Sequence, residues 1–120
     1  MCGIAGIVLK PSRTLTDLCA RVNLMRDAMT HRGPDDAGTF LARNGRVGFV
    51  NRRLAIRDLS PLGHMPMLSA DESIALTYNG EIYNADELRA ELERAGCAFR
   101  STSDTEVILR GYEAWGENIV

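Results

Sequence analysis

The sequence predicts an α+β domain built in layers. Three observations predict it. A short, partly β-branched apolar run begins almost at residue 1, three later stretches carry apolar residues at helical spacing, and an Asn-Gly dipeptide joins two strand-like segments. At 120 residues, 45% hydrophobic and 25% charged, the chain has material for one globular core and for no more than one domain.

Gly3 to Leu9 reads as a buried strand whose small residues permit close backbone approach, ended by Pro11 and Ser12. Leu15, Leu18, Cys19, Val22, Met25 and Met29 then recur at helical spacing, so a helix over 15–29 should bury one stripe, Cys19 included. The loop from His31 to Asp36 stops it, because Pro34 disfavours a helical residue before it. Asn44-Gly45 signals a hairpin between strands near 38–42 and 46–50. Leu54 to Ile56 would extend the sheet, and Ile74 to Tyr78 is a further short strand, broken by Asn79-Gly80. Asn84, with Glu87 three residues later, opens a second helix carrying Leu88 and Leu92, and Gly96 stops it. Ser103 and Glu106 repeat that pattern for a third helix with Ile108, Gly111, Tyr112 and Trp115, ending at Gly116. The chain stops at Val120, where another strand could begin, which suggests a piece of a larger domain.

Several function classes are disfavoured by composition. Fourteen basic against sixteen acidic residues leave a net charge of −2, without the excess of basic residues that non-specific nucleic-acid binding uses. The longest apolar run is far short of a membrane span, and no basic flank and cleavage site make it a secretory signal. Three cysteines, at 2, 19 and 97, form neither a disulfide framework nor a paired metal motif. The expectation is a cytoplasmic protein with no metal, no nucleic-acid partner and no membrane partner.

Cys2 is the sharpest chemical feature. Removal of Met1 would leave a thiol and a free α-amine on one residue. An α-amine with an ordinary pKa near ~8 is a usable base at cellular pH, where a lysine near ~10.4 is not. A thiol needs little activation to become a nucleophile. The plain alternative is a small apolar side chain at a strand end.

Five blocks occur in order: Met1-Cys2-Gly3-Ile4-Ala5-Gly6, His31-Arg32-Gly33-Pro34-Asp35, Arg53-Leu54-Ala55-Ile56, Asn79-Gly80-Glu81-Ile82-Tyr83-Asn84 and Ser103-Asp104-Thr105-Glu106-Val107. Together they resemble the class II glutamine amidotransferases, and most closely the N-terminal glutaminase domain of asparagine synthetases. The resemblance covers nearly the whole chain. It implies an N-terminal-nucleophile hydrolase fold, αββα, with two antiparallel sheets between helical layers, of which residues 1–120 would be the N-terminal part.

By that resemblance Cys2 is the nucleophile that attacks the side-chain amide of glutamine. Asn79, through its side-chain amide, and Gly80, through its backbone N–H, match the oxyanion hole. Two preorganised donors suit a developing negative oxygen, and losing one such donor typically costs about 3 kcal/mol. On its own, Asn79-Gly80 is also an ordinary turn. Arg53 matches the arginine that grips the α-carboxylate, a role that suits a guanidinium fork. Arg52 is its competitor, and alternation would point the two to opposite faces. Asp104 matches the acceptor of the α-ammonium and would also suit a helix N-terminus. Glu81 lies beside the same site, and Leu54 and Ile56 would add backbone contacts.

Cys19 and Trp115 read as core and Cys97 as structural, while His31 looks architectural and His64 has no evident partner. Three positions depart from the family's usual pattern: Asn51 for histidine, Arg57 for an aliphatic residue and Met65 for glutamine. They flank the pocket without touching the nucleophile or the oxyanion donors. The Arg53–Ile56 and Asn79–Glu81 runs favour the asparagine-synthetase branch. The resemblance further implies a synthetase domain as the partner in a longer chain, with ATP and Mg confined to that domain and no cofactor in this one. Strand edges left open would favour self-association, a homodimer included. Two rivals stand beside this reading: the same glutaminase module serving another acceptor, and a truncated, non-catalytic interaction segment.

Overall fold

A three-stranded antiparallel sheet organises the first half of the chain in the computed structural model, which describes residues 1–119. Its strands are β1 (Gly3–Val8), β2 (Asp36–Leu41) and β3 (Val47–Arg53), in the order β1-β3-β2. β2 and β3 form the predicted hairpin, in which Asn44 Oδ1 accepts the Arg46 N–H at 3.0 Å and locks the turn. β1 is buried on one face only. Alternation sends Ala5 and Ile7 toward the core, while Ile4 and Val8 are 45% and 77% exposed.

The helix that covers this sheet, α1, runs from Leu18 to Ala28, shorter than the periodicity suggests. Leu18 and Val22 meet Val50 of β3 to form a buried cluster, with Leu15, Met25 and Met29 packed around it. Cys19 is exposed, contrary to the sequence expectation. One residue beyond Leu18, it sits about 100° around the helix and off the buried stripe.

The second half carries α2 (Ala85–Arg94) and α3 (Asp104–Trp115), which pack on each other through Ala85, Leu92 and Val107, with Cys97, Phe99 and Trp115 alongside. α2 ends in a Schellman arrangement. Gly96 takes φ +93, its N–H reaches Glu93 O at 3.0 Å, and the Cys97 N–H reaches Leu92 O at 2.9 Å. Asn84 precedes α2 without donating or accepting a side-chain capping bond, so the predicted capping box does not form there. At α3 the Ser103 hydroxyl accepts the Thr105 N–H, as expected of an N-cap. Tyr112 of this helix is 43% exposed.

A second, two-stranded sheet joins β4 (Met67–Leu68) to β5 (Ala75–Leu76), and β4 lies against α3. β4 had no sequence signal, being a two-residue strand. Asp71 holds the intervening turn, accepting from Ser69 and Ser73; these hydrogen bonds lower its pKa to about 2. The expected strand at Ile74–Tyr78 shrinks to β5, and Leu54–Ile56 is not a strand at all. β3 ends at Arg53, and the chain turns away over the cavity described next. The architecture is thus α+β with antiparallel sheets. Val120 lies outside the described residues.

Candidate active site

Cys2 and Arg53 come together through strand register. β1 pairs Gly3 with Arg52, so one step further places Cys2 opposite Arg53, on the face away from α1. The same alternation turns Arg52 toward α1, and of the two arginines only Arg53 lines the cavity. Just past the strand end, the Leu54 N–H donates to Cys2 Sγ at 3.4 Å, and the thiol lies 3.7 Å from the Leu54 carbonyl. The Cys2 carbonyl in turn accepts from Arg32 Nε at 3.4 Å.

The cavity beside Cys2 has a volume of about 310 Å³. It is large enough for a small polar molecule. Cys2, Arg53, Leu54, Ile56, Asn79, Gly80, Glu81 and Asp104 all line it. Five separated sequence blocks supplied the resemblance, and four of them meet here. The fifth, around Arg32, touches the site from behind through Cys2.

Each wall has its own anchorage. Arg53 is 7% exposed, and its guanidinium donates to the Asp58 and Ser60 carbonyls, which folds the 54–60 loop over the strand end. Asp58 is itself buried and accepts the N–H groups of Ser60 at 2.8 Å and Thr102 at 2.9 Å. Burial raises its pKa, but those hydrogen bonds outweigh it, and the net position is below the ordinary carboxylate value. On the opposite wall Asp104, in the first turn of α3, accepts the Ile82 N–H at 3.0 Å. This fixes the Asn79–Tyr83 segment against the helix N-terminus, where the macrodipole favours a carboxylate.

Glu106 supports this arrangement from below. It is 1% exposed and accepts from the Arg100 and Ser101 N–H groups and the Ser101 hydroxyl, with Arg110 at 3.4 Å. Rather than closing a capping box on Ser103, it reaches upstream and pins the chain leading into α3. Burial opposes its charge, yet the Ser101 and Arg100 bonds and Arg110 together hold its pKa below the usual range.

Sequence reasoning missed Asp58, Tyr78, Tyr83, Ser103 and Thr105 as lining residues. Ser103 and Thr105 were visible only as helix-start residues, and Asp58 had no signal. Tyr78 folds over Gly80: a Cβ there would lie 2.5 Å from the Tyr78 hydroxyl, so a larger residue would push the phenol aside. Burial, then the negative charges of Asp104 and Glu81, push the Tyr78 phenol up. Two of the departures touch each other. Buried Asn51 donates to Thr77 at 2.9 Å and lies 3.9 Å from the sulfur of Met65, which lines the cavity. His64 does have a partner, Asp36, at 2.7 Å. Among the described residues no group of three or more His, Cys, Asp or Glu is arranged to hold a metal, and no helix is long and apolar enough to cross a membrane.

Residues 1–120 match the family model of the glutamine amidotransferase domain. The chain belongs to that family. This amidotransferase domain is 42% identical over 118 residues to asparagine synthetase [glutamine-hydrolyzing] 1 of Bacillus subtilis (strain 168), covering 98% of the chain and 18% of that protein. It is 43% identical over 121 residues to the asparagine synthetase [glutamine-hydrolyzing] 2 of the same organism, covering 100% and 16%. A Triphysaria versicolor asparagine synthetase [glutamine-hydrolyzing] is 42% identical over 120 residues, covering 100% and 20%. The amidotransferase domain therefore spans 16–20% of the length of these relatives.

Proposed function

We propose that the cavity is a glutaminase site on an N-terminal-nucleophile hydrolase fold. One observation carries the reading: eight residues from distant parts of the chain line one cavity beside the Cys2 thiol. With Met1 in place the Cys2 nitrogen is a peptide nitrogen, so competence requires loss of Met1. The freed α-amine takes the thiol proton, directly or through a water. The thiolate attacks the side-chain amide carbon of glutamine, and the Asn79 amide and Gly80 N–H hold the resulting oxyanion. The proton passes to the leaving nitrogen, ammonia departs, and a thioester remains. Water attacks it, releasing glutamate and restoring the thiol.

Arg53 keeps N–H groups beyond the two it gives to Asp58 and Ser60, and these serve the α-carboxylate. Asp104 receives the α-ammonium, with Glu81, Leu54 and Ile56 contributing backbone contacts around it. In a longer protein such as the relatives above, the ammonia would pass to an activated aspartate in an ATP- and Mg-dependent synthetase domain, giving asparagine in the cytoplasm. Self-association into a homodimer belongs to the same proposal.

The test is intact-mass analysis of the processed, full-length protein after exposure to an electrophilic glutamine analogue. The expected result is loss of methionine and one adduct on Cys2, with Cys2→Ala unlabelled and its glutamine hydrolysis reduced more than about 10³-fold. Undiminished hydrolysis by Cys2→Ala would sink the mechanism.

A further inference from the structure

Arg57 lines the cavity with an exposed side chain. Its Nη1 donates to the Ile82 carbonyl at 3.1 Å. Among the described residues this is the side-chain hydrogen bond that joins the 54–60 loop to the 79–83 segment. Away from this bond the first wall is held by Arg53 and, through Asp58, by Thr102, and the second by Asp104, so both walls also reach the start of α3. Apolar packing does not hold the loop tip, because Ile56 and Leu59 are 71% and 79% exposed. Ile82 is thereby gripped through both its N–H, by Asp104, and its carbonyl, by Arg57.

We propose that Arg57 is a positioning residue that ties the two walls directly to each other, at a point away from their shared anchorage at the start of α3. One wall carries the Leu54 N–H that meets the Cys2 sulfur; the other carries Asn79 and Gly80. The inference rests on the glutaminase reading. Without the tie the walls of the free protein populate arrangements that do not bind, and this weakens the binding of glutamine and of the transition state alike. That raises KM and leaves kcat nearly unchanged.

The experiment compares Arg57→Leu, which keeps an aliphatic stem and removes the donors, with Arg57→Lys, which retains a cationic donor. Both are measured in the processed full-length protein for glutamine hydrolysis and for labelling by a diazoketone analogue of glutamine. Arg57→Leu should raise KM and the analogue's inhibition constant by about threefold to tenfold, the upper figure being the full worth of one charge-assisted hydrogen bond, with kcat within about twofold. Arg57→Lys should recover much of the loss. Wild-type KM in Arg57→Leu overturns the inference while leaving the glutaminase reading intact. So does an equal fall of kcat in both variants together with a lower Tm, which marks a residue serving stability alone. A wild-type protein that neither hydrolyses glutamine nor is labelled at Cys2 removes the glutaminase reading and the inference together.

Discussion

Where α1 crosses the three-stranded sheet, the buried residues are Leu18, Val22 and Val50, ringed by other apolar side chains. Where α3 meets the loops around the cavity, Val107 and Leu109 are joined by buried Ser101, Ser103, Asp104, Thr105, Glu106 and Asp58. The first region is held by burial that has no preferred direction, and it supplies a platform from which Cys2 emerges. The second is held by carboxylates on specific N–H groups, which fix loops in one orientation. Apolar packing here builds the scaffold, and directed polar anchoring places the site on it.

That contrast can be broken most directly at Glu106. E106Q turns an amide toward donors that now face a carboxylate, and it should cost about 3 kcal/mol and lower Tm by about 10 °C. A thermal melt checks this. The same carboxylate, with Asp58, makes this buried polar region sensitive to acid. Both groups titrate below their ordinary values of 4.5 and 3.8 in the fold. Their stabilisation is complete above those values and is lost as pH falls through the lower folded ones, so stability should decline below about pH 4. The decline should be shallower in E106Q.

The platform gives the next largest effect. Val22→Ala removes two fully buried methyl groups and should cost about 2 kcal/mol by urea unfolding. Labelling of Cys2 should survive below the transition, since no loop anchor is touched. A variant that lost labelling without unfolding would show that the two regions are not separable. The smallest effect belongs to Ser103→Ala, which removes the α3 cap and should cost about 1 kcal/mol in the same unfolding assay.

Local signals were enough for β1, the β2–β3 hairpin and all three helices, because each is marked within a few residues by periodicity, capping or turn chemistry. They misjudged Cys19, where helical spacing alone could not say how wide a stripe its neighbours would cover. They also extended the sheet through Leu54–Ile56, because an apolar triplet looks the same in a strand and in a loop over a cavity.

The sequence by itself determined the candidates for the chemistry. Cys2, Arg53, Asn79, Gly80 and Asp104 were singled out by residue type, order and resemblance to the amidotransferase family. Only the tertiary structure decided how the cavity is held. The Asp58–Thr102 bond spans 44 positions and the Arg57–Ile82 bond 25, and the Leu54 N–H reaches the Cys2 sulfur across 52. Such contacts leave no local pattern. They exist because antiparallel register and two helix packings bring distant segments to one end of the sheet, and no nearest-neighbour preference encodes that meeting.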